Sequence, residues 1–136
     1  MTDNAGKRIC WKVLLVDDNP NTIHLVRRQF QSVYLEIFTA QSVEDAIKLL
    51  VNPATRPDLV LLDVIMPGVD GIDLCRFIKT NDMFRHIKVF LCSSIEKEKL
   101  TDIASECGAD GLVHKQDILG RWVMEQLQQE EMHRQG

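Results

Sequence analysis

The fold of this chain is decided by residues 59–71, which read Leu-Val-Leu-Leu-Asp-Val-Ile-Met-Pro-Gly-Val-Asp-Gly. Four consecutive aliphatic residues end at the carboxylate of Asp63, and a Pro-Gly pair then breaks the run. A short apolar run bounded by turn residues is typical of a strand buried on both faces of a parallel sheet. Ligands of open α/β sheets bind outside the carboxyl ends of the strands. The stretch therefore predicts an α/β fold that presents Asp63 as a reactive group.

The rest of the chain alternates between similar apolar runs and amphipathic segments. Strands are predicted at 12–16, 35–39, 59–62, 88–92 and 111–114. Helices are predicted from Asn19, from Ser42, at 71–79, at 97–107 and from about Ile118, and Phe77 is expected to face the core. This alternation predicts a doubly wound, five-stranded parallel sheet of flavodoxin-like order 2-1-3-4-5 with helices on both faces.

Three carboxylates converge in that topology. Strand one ends in Asp17 and Asp18, strand three ends in Asp63, and the strand order reverses between these two strands. Clustered carboxylates repel one another, so a retained proton or a divalent cation is expected among them. An oxygen-only site favours Mg²⁺, with Mn²⁺ as the other possibility.

Two further side chains are expected at the same edge of the sheet. Ser93 follows strand four and Lys115 follows strand five. A carboxylate, a hydroxyl, an ammonium and a metal ion together suit phosphoryl transfer, in which Asp63 would be the nucleophile.

The complete set of motifs resembles the receiver domain of bacterial two-component response regulators, of the chemotaxis-regulator type. The set comprises Val-Asp-Asp at 16–18, the run at 59–71, the hydroxyl residue at 93 and Gly-Ala-Asp-Gly-x-x-x-Lys at 108–115. The resemblance implies that Asp63 is the phosphoacceptor and that Ser93 and Lys115 assist it. It also implies Mg²⁺ ligands, which are Asp17, Asp18, Asp63 and the backbone carbonyl of Ile65.

The same resemblance implies partners and an output surface. A sensor histidine kinase or a histidine phosphotransfer protein would supply the phosphoryl group, and the chain would assist only its own phosphotransfer and dephosphorylation. The face of helix 4, strand 5 and helix 5 would then bind an output domain or a second copy. Two departures leave this coupling open, since Gln116 replaces the usual proline after Lys115 and Leu112 replaces the usual aromatic residue.

Composition limits the other functions. The chain has 136 residues and a net charge of −4, which suits one domain and disfavours direct nucleic-acid binding. Its apolar runs are too short for a signal peptide or a membrane span, so a cytoplasmic protein is expected. The four cysteines are expected to be reduced, and the histidines structural or exposed. The expected division is an extension at 1–10, a receiver at 11–128 and a polar tail or linker helix at 129–136.

Three alternative functions compete with the prediction of a phosphoacceptor domain. A flavin- or nucleotide-binding module is disfavoured because residues 17–20 read Asp-Asp-Asn-Pro and not a Gly-rich phosphate loop. A metal-dependent phosphohydrolase of the haloacid dehalogenase kind would place Asp-x-Asp after strand one, where this chain has adjacent acids. A vestigial receiver that acts only as an interaction module would lack part of the set, which this sequence retains.

Overall fold

A computed structural model describes residues 11–29, 35–66 and 69–115. One parallel sheet contains β1 (Trp11–Val16), β2 (Leu35–Ala40), β3 (Leu59–Leu62), β4 (Lys88–Ser93) and β5 (Gly111–His114). The helices in this part of the chain are α1 (Pro20–Gln29), α2 (Val43–Val51), α3 (Gly71–Thr80) and α4 (Lys97–Cys107). A two-residue antiparallel ribbon pairs Ile65–Met66 with Val69–Asp70. None of these helices has the length and apolarity that a membrane crossing requires.

The sheet has the order β2-β1-β3-β4-β5, and all its neighbouring strands are parallel. The predicted fold class and strand order are therefore confirmed, and the strand bounds differ from the predicted ones by no more than a residue at either end. The helix predicted from Ile118 and the boundary predicted at residue 128 lie outside the described residues.

The central strands are continuous apolar runs because both faces of the sheet are covered. Along β1, Leu14 and Val16 belong to the larger core cluster, whereas Val13 and Leu15 belong to the smaller one on the other face. The larger cluster includes residues of α2, α3 and α4, and the smaller one includes Val26 of α1. Successive side chains of a strand point to opposite faces, so the middle of a strand with helices on both sides is apolar at consecutive positions.

The helix ends follow local sequence signals. Ser42 caps α2, since its Oγ accepts a hydrogen bond from the backbone N–H of Asp45 at 3.1 Å. Gly108 ends α4 with a φ of 80°, and its N–H donates to the carbonyl of Ala104. The start of α2 directly after Ser42 and the end of α4 at Cys107 agree with the predicted helix bounds.

The expectation for Phe77 is wrong. Its side chain is 39% exposed, whereas Leu74, Cys75 and Ile78 are the buried apolar side chains of α3. The buried stripe is centred between Leu74 and Ile78, and Phe77 lies at its margin. The ring packs there against Phe84, with 5.9 Å between the ring centroids.

A set of polar contacts joins the strands at the end of the sheet opposite Asp63. Asp58 Oδ2 accepts from the N–H of Lys12 at 2.9 Å, and its carbonyl accepts from the N–H of Lys88 at 3.2 Å. Asp110 Oδ2 accepts from the N–H of Val89 and from Lys79 Nζ, each at 2.8 Å. We call Asp58, Lys79 and Asp110, with the strand ends they bind, the amino-end network.

Lys79 is the member of this network whose removal we expect to cost most. Its Nζ also donates to the carbonyls of Arg85 at 2.8 Å and Ile87 at 2.9 Å, so Lys79→Met removes three hydrogen bonds, and of their acceptors Asp110 Oδ2 keeps the N–H of Val89. We expect the free energy of unfolding to fall by about 1–3 kcal/mol in urea denaturation. The control is Glu106→Gln, which breaks an exposed pair with Arg76 and is expected to cost less than about 1 kcal/mol. Equal losses in the two variants would contradict this prediction.

Candidate functional site

Asp17 and Asp63 stand directly after two neighbouring strands and continue their hydrogen bonding. The N–H of Asp17 donates to the carbonyl of Ala40 at 3.0 Å, and the N–H of Asp63 donates to that of Val16 at 2.9 Å. Both backbones are therefore fixed by the sheet although each residue lies one position beyond its strand. The two side chains are buried, with Asp17 1% and Asp63 5% exposed.

These two acids and Asp18 form what we call the acid cluster. Each offers a carboxylate oxygen, and the three oxygens lie within 4.8 Å of one another. Asp18 is exposed, so the cluster is open to solvent on one side. The structure thus brings together the three acids that the sequence placed at two strand ends.

Lys115 is the cation that contacts this cluster. Its Nζ lies 2.8 Å from Asp17 Oδ2 and 3.1 Å from Asp63 Oδ2. Burial lowers the pKa of Lys115, but its contacts with the carboxylates of Asp17 and Asp63 and their negative charges outweigh burial and raise that pKa above its ordinary value of 10.5. The sequence placed Lys115 at the same edge of the sheet as the acids but did not indicate its contact with Asp17. Among the described residues, one ammonium faces three carboxylates, so this group of side chains carries net negative charge.

The oxygen atoms of Asp17 fit a divalent cation. Its Oδ1 accepts from the N–H of Asn19 at 2.8 Å, while its Oδ2 is buried without hydrogen-bond geometry to any described group and has Lys115 only as an ionic contact. A buried carboxylate oxygen that accepts no hydrogen bond from the described groups is well suited to ligate a hard ion. Within the described residues the cluster contains oxygen ligands alone, which matches the preference of Mg²⁺. Ile65 lies two residues beyond Asp63, at the start of the ribbon.

Ser93 is the last residue of β4 and is 1% exposed. Its Oγ accepts a hydrogen bond from the N–H of Ile95 at 3.3 Å, so the hydroxyl is engaged within its own segment. The next carbonyl, that of Ser94, lies 3.2 Å from His114 Nε2. The sequence did not indicate this histidine contact, because it depends on the register that pairs Ser93 with His114 across β4 and β5.

Cys92, the described cysteine nearest to Ser93 in the chain, is not suited to act as a nucleophile. Cys75, Cys92 and Cys107 are free and buried, and Cys10 lies outside the described residues. Burial raises the pKa of Cys92, the residue before Ser93, to about 12. A thiol with this pKa stays protonated at neutral pH, and the thiolate is the reactive form.

Gly71, the first residue of α3, lies against the segment that carries Asp63. An added Cβ would be 2.9 Å from the carbonyl oxygen of Asp63 and 3.2 Å from Cα of Val64. Both are backbone atoms, so the segment would have to move. We expect Gly71→Ala to lower the free energy of unfolding by about 1–3 kcal/mol and to weaken Mg²⁺ binding, measured by denaturation and by calorimetric titration.

Gly108→Ala is the control for this prediction. It also loses stability, by about 1 kcal/mol, because Gly108 has a left-handed φ of 80° at the end of α4. Its Cβ would contact only Lys79, so Mg²⁺ binding should be unchanged. Unaltered Mg²⁺ affinity in Gly71→Ala would show that the close approach does not position the acid cluster.

Comparison with known proteins agrees with this geometry. A family model described as "Response regulator receiver domain" matches residues 13–122. The chain is 34% identical over 85 residues to the response regulator PleD of Caulobacter vibrioides, and the aligned region covers 62% of this chain and 18% of PleD. It is 34% identical over 104 residues to the chemotaxis protein CheY of Halobacterium salinarum, which covers 76% of this chain and 83% of that protein.

Among solved structures, the chain is similar to the phosphorylated cyanobacterial phytochrome response regulator RcpA. The TM-score is 0.71 at 26% sequence identity, and the match covers 78% of this chain and 81% of RcpA. The chain therefore spans most of RcpA but less than a fifth of PleD.

Proposed function

The chain belongs to the response regulator receiver domain family, and on that premise we propose that Asp63 is its phosphoacceptor. Receivers are signalling modules that exchange a phosphoryl group with histidine kinases or phosphotransfer proteins and act on output domains. The observation that carries the proposal is the buried carboxylate of Asp63 with Lys115 Nζ 3.1 Å away, beside two further acids.

The proposed reaction is a single displacement at phosphorus. A carboxylate oxygen of Asp63 attacks the phosphorus of a phosphohistidine, and an acyl phosphate bond forms. The bond between phosphorus and the donor's imidazole nitrogen breaks, and its electron pair stays with that nitrogen. The donor regains an unmodified histidine, and this chain gains one phosphoryl group.

Each neighbouring residue has a proposed role in this step. Lys115, which now contacts Asp17 and Asp63, would direct its ammonium to the incoming phosphoryl oxygens and offset their charge. Ser93 would exchange its contact with the N–H of Ile95 for a hydrogen bond to the phosphoryl group. That exchange couples the acceptor to the segment after β4.

Receivers bind Mg²⁺ at an acidic site, and we propose that this chain does so through the acid cluster. Asp17 and Asp18 would hold the ion with Asp63 and the carbonyl of Ile65. Asp17 is supported by its buried oxygen without a hydrogen bond, and Asp18 by its exposure to solvent. When bound, Mg²⁺ supplies positive charge that neutralises the carboxylates and phosphoryl oxygens.

Output is proposed to pass through the face of α4, β5 and the helix predicted from about Ile118. Phosphorylation adds a charge of about −1.5 to −2 at Asp63, and contacts that differ between the two states shift the population of this face. A partner or a second copy would bind it. We also propose that the receiver spans 11–128, between an extension at 1–10 and a tail at 129–136.

Intact-protein mass after incubation with acetyl phosphate tests the proposal. We expect one phosphoryl mass per chain, dependent on Mg²⁺ and removed by mild alkali, since an acyl phosphate is labile in alkali. A metal-dependent phosphatase would instead turn over the donor without a lasting stoichiometric adduct. If no donor gives an adduct, the chain is an interaction module with vestigial chemistry.

A further inference from the structure

The side chain of His114 makes a hydrogen bond that belongs neither to the acid cluster nor to the backbone pairing of the sheet. It is the last residue of β5 and the neighbour of Lys115, and its register partner on β4 is Ser93. Its Nε2 lies 3.2 Å from the carbonyl oxygen of Ser94, one residue beyond that last register pair. A carbonyl oxygen can only accept, so Nε2 carries the proton and donates it.

The carbonyl of Ser94 belongs to the segment that holds the Ser93 hydroxyl. Ser93 Oγ accepts from the N–H of Ile95 at 3.3 Å, so this short turn fixes where the hydroxyl rests. His114 ties the middle of the same turn to β5. Any movement that carries Ser93 towards Asp63 must also displace the Ser94 carbonyl relative to that imidazole.

The hydrogen bond between His114 and Ser94 joins the sequence neighbours of the two side chains, Lys115 and Ser93, that are proposed to act on the phosphoryl group. Lys115 follows His114 directly and contacts the acid cluster, and Ser93 precedes Ser94 directly. Because β5 is held at its other end by Asp110 of the amino-end network, the imidazole is attached to a fixed strand. A hydrogen bond from a fixed strand to a turn that must move favours the resting position of that turn.

We propose that His114 is a positioning residue that holds residues 93–95 in the resting position and so opposes closure of Ser93 on the phosphoryl group. The inference rests on the proposed function of Asp63. It predicts that removal of the Nε2 donor speeds phosphoryl uptake, because less free energy is then needed to bring the hydroxyl to its working position.

The test compares His114→Leu with His114→Gln in uptake from acetyl phosphate with Mg²⁺. Leu keeps an apolar side chain of moderate size without a donor, whereas the Gln amide can place an N–H near the position of Nε2. We expect His114→Leu to be about two- to fivefold faster, the factor that one partly exposed hydrogen bond contributes, and His114→Gln to lie close to wild type. His86→Leu, an exposed histidine near the amino end of β4, is the matched control and should leave the rate unchanged.

A second background distinguishes positioning from a general effect on the fold. If His114 acts through the Ser93 hydroxyl, the gain from His114→Leu should vanish in a Ser93→Ala protein. A merely structural role would lower the unfolding midpoint and give no gain in rate. Should His114→Leu fail to fold, His114→Asn is measured with the same expectation, because its shorter amide does not reach the Nε2 position.

The outcomes separate this inference from the proposed function. Absence of an adduct in wild type would overturn the phosphoacceptor role and the inference with it. An adduct in wild type with an unchanged or slower rate in His114→Leu would overturn only the role of His114. A gain that persists in Ser93→Ala would likewise overturn it.

Discussion

Asp63→Asn is expected to abolish phosphoryl uptake, with a fall in rate of at least about a thousandfold. The amide has the size and shape of the carboxylate but no anionic oxygen to attack phosphorus. Its backbone contact with Val16 and its place after β3 do not depend on the charge. Intact-protein mass after incubation with acetyl phosphate and Mg²⁺ should therefore show a folded protein without an adduct.

The control for Asp63→Asn is Asp82→Asn, the same chemical change at an exposed side chain in the turn before β4. It should accept one phosphoryl group at the wild-type rate. An adduct that persists in Asp63→Asn would contradict the assignment of the acceptor. If that adduct also resisted alkali, a hydroxyl such as that of Ser93 or Ser94 would be the acceptor instead.

Lys115→Met is expected to destabilise the protein by about 1–3 kcal/mol in the absence of divalent ions. The ammonium is the neutralising contact of Asp17 Oδ2 and lies within 3.1 Å of Asp63 Oδ2, so its loss leaves two buried carboxylates facing each other. The value stays below that of a fully buried pair because the lysine side chain is 19% exposed. Urea denaturation in EDTA measures it.

Mg²⁺ should restore much of this loss. The ammonium competes with a metal ion for the same oxygens, so Lys115→Met should bind Mg²⁺ more tightly than wild type, and ligand binding stabilises the folded state. Lys115→Arg, which keeps the charge, is the control and should lose less stability in EDTA. Weaker Mg²⁺ binding by Lys115→Met would show that the lysine supports the metal site and does not compete with it.

The pH dependence of the stability difference between wild type and Lys115→Met follows from the direction in which the pKa of Lys115 is shifted. The pKa of Lys115 is higher in the folded state than its ordinary 10.5, so the ion pair contributes fully below pH 10.5. Its contribution is lost as the pH rises through the folded-state pKa. The stability gap between wild type and Lys115→Met should therefore not be reduced by lysine titration between pH 7 and 10, and it should narrow only above that range.

The sequence was sufficient for the fold because the decisive signals are local. Apolar runs as short as 59–62 cannot form long helices, and turn or capping residues such as Ser42 and Gly108 separate the runs from the helices. Chain order and the rule for right-handed crossovers then leave the observed sheet. The exposure of Phe77 was not predicted, because it depends on a few degrees of rotation of α3 about its axis.

The sequence was sufficient to predict which residues come together at the site, but not which atoms are in contact. The topology brings Asp17, Asp18 and Asp63 to one edge, and that convergence needs no side-chain detail. The contacts of Lys115 with both Asp17 and Asp63 depend on the conformation of its long side chain. The contact of His114 with Ser94 depends on the register of β4 against β5. Neither quantity is encoded in a motif.

Because of the amino-end network, the residues that hold the strands in register differ from the residues of the proposed phosphoryl-transfer site. The contacts of Asp58, Lys79 and Asp110 hold neighbouring strands in register from the end opposite the acid cluster. Within the described part of the chain, these contacts involve no residue of the proposed phosphoryl-transfer site. Substitutions among the acids, the hydroxyl and the lysine therefore leave the strand order specified. A descendant of this chain could lose the proposed phosphorylation and keep a folded surface on which selection for a new partner can act.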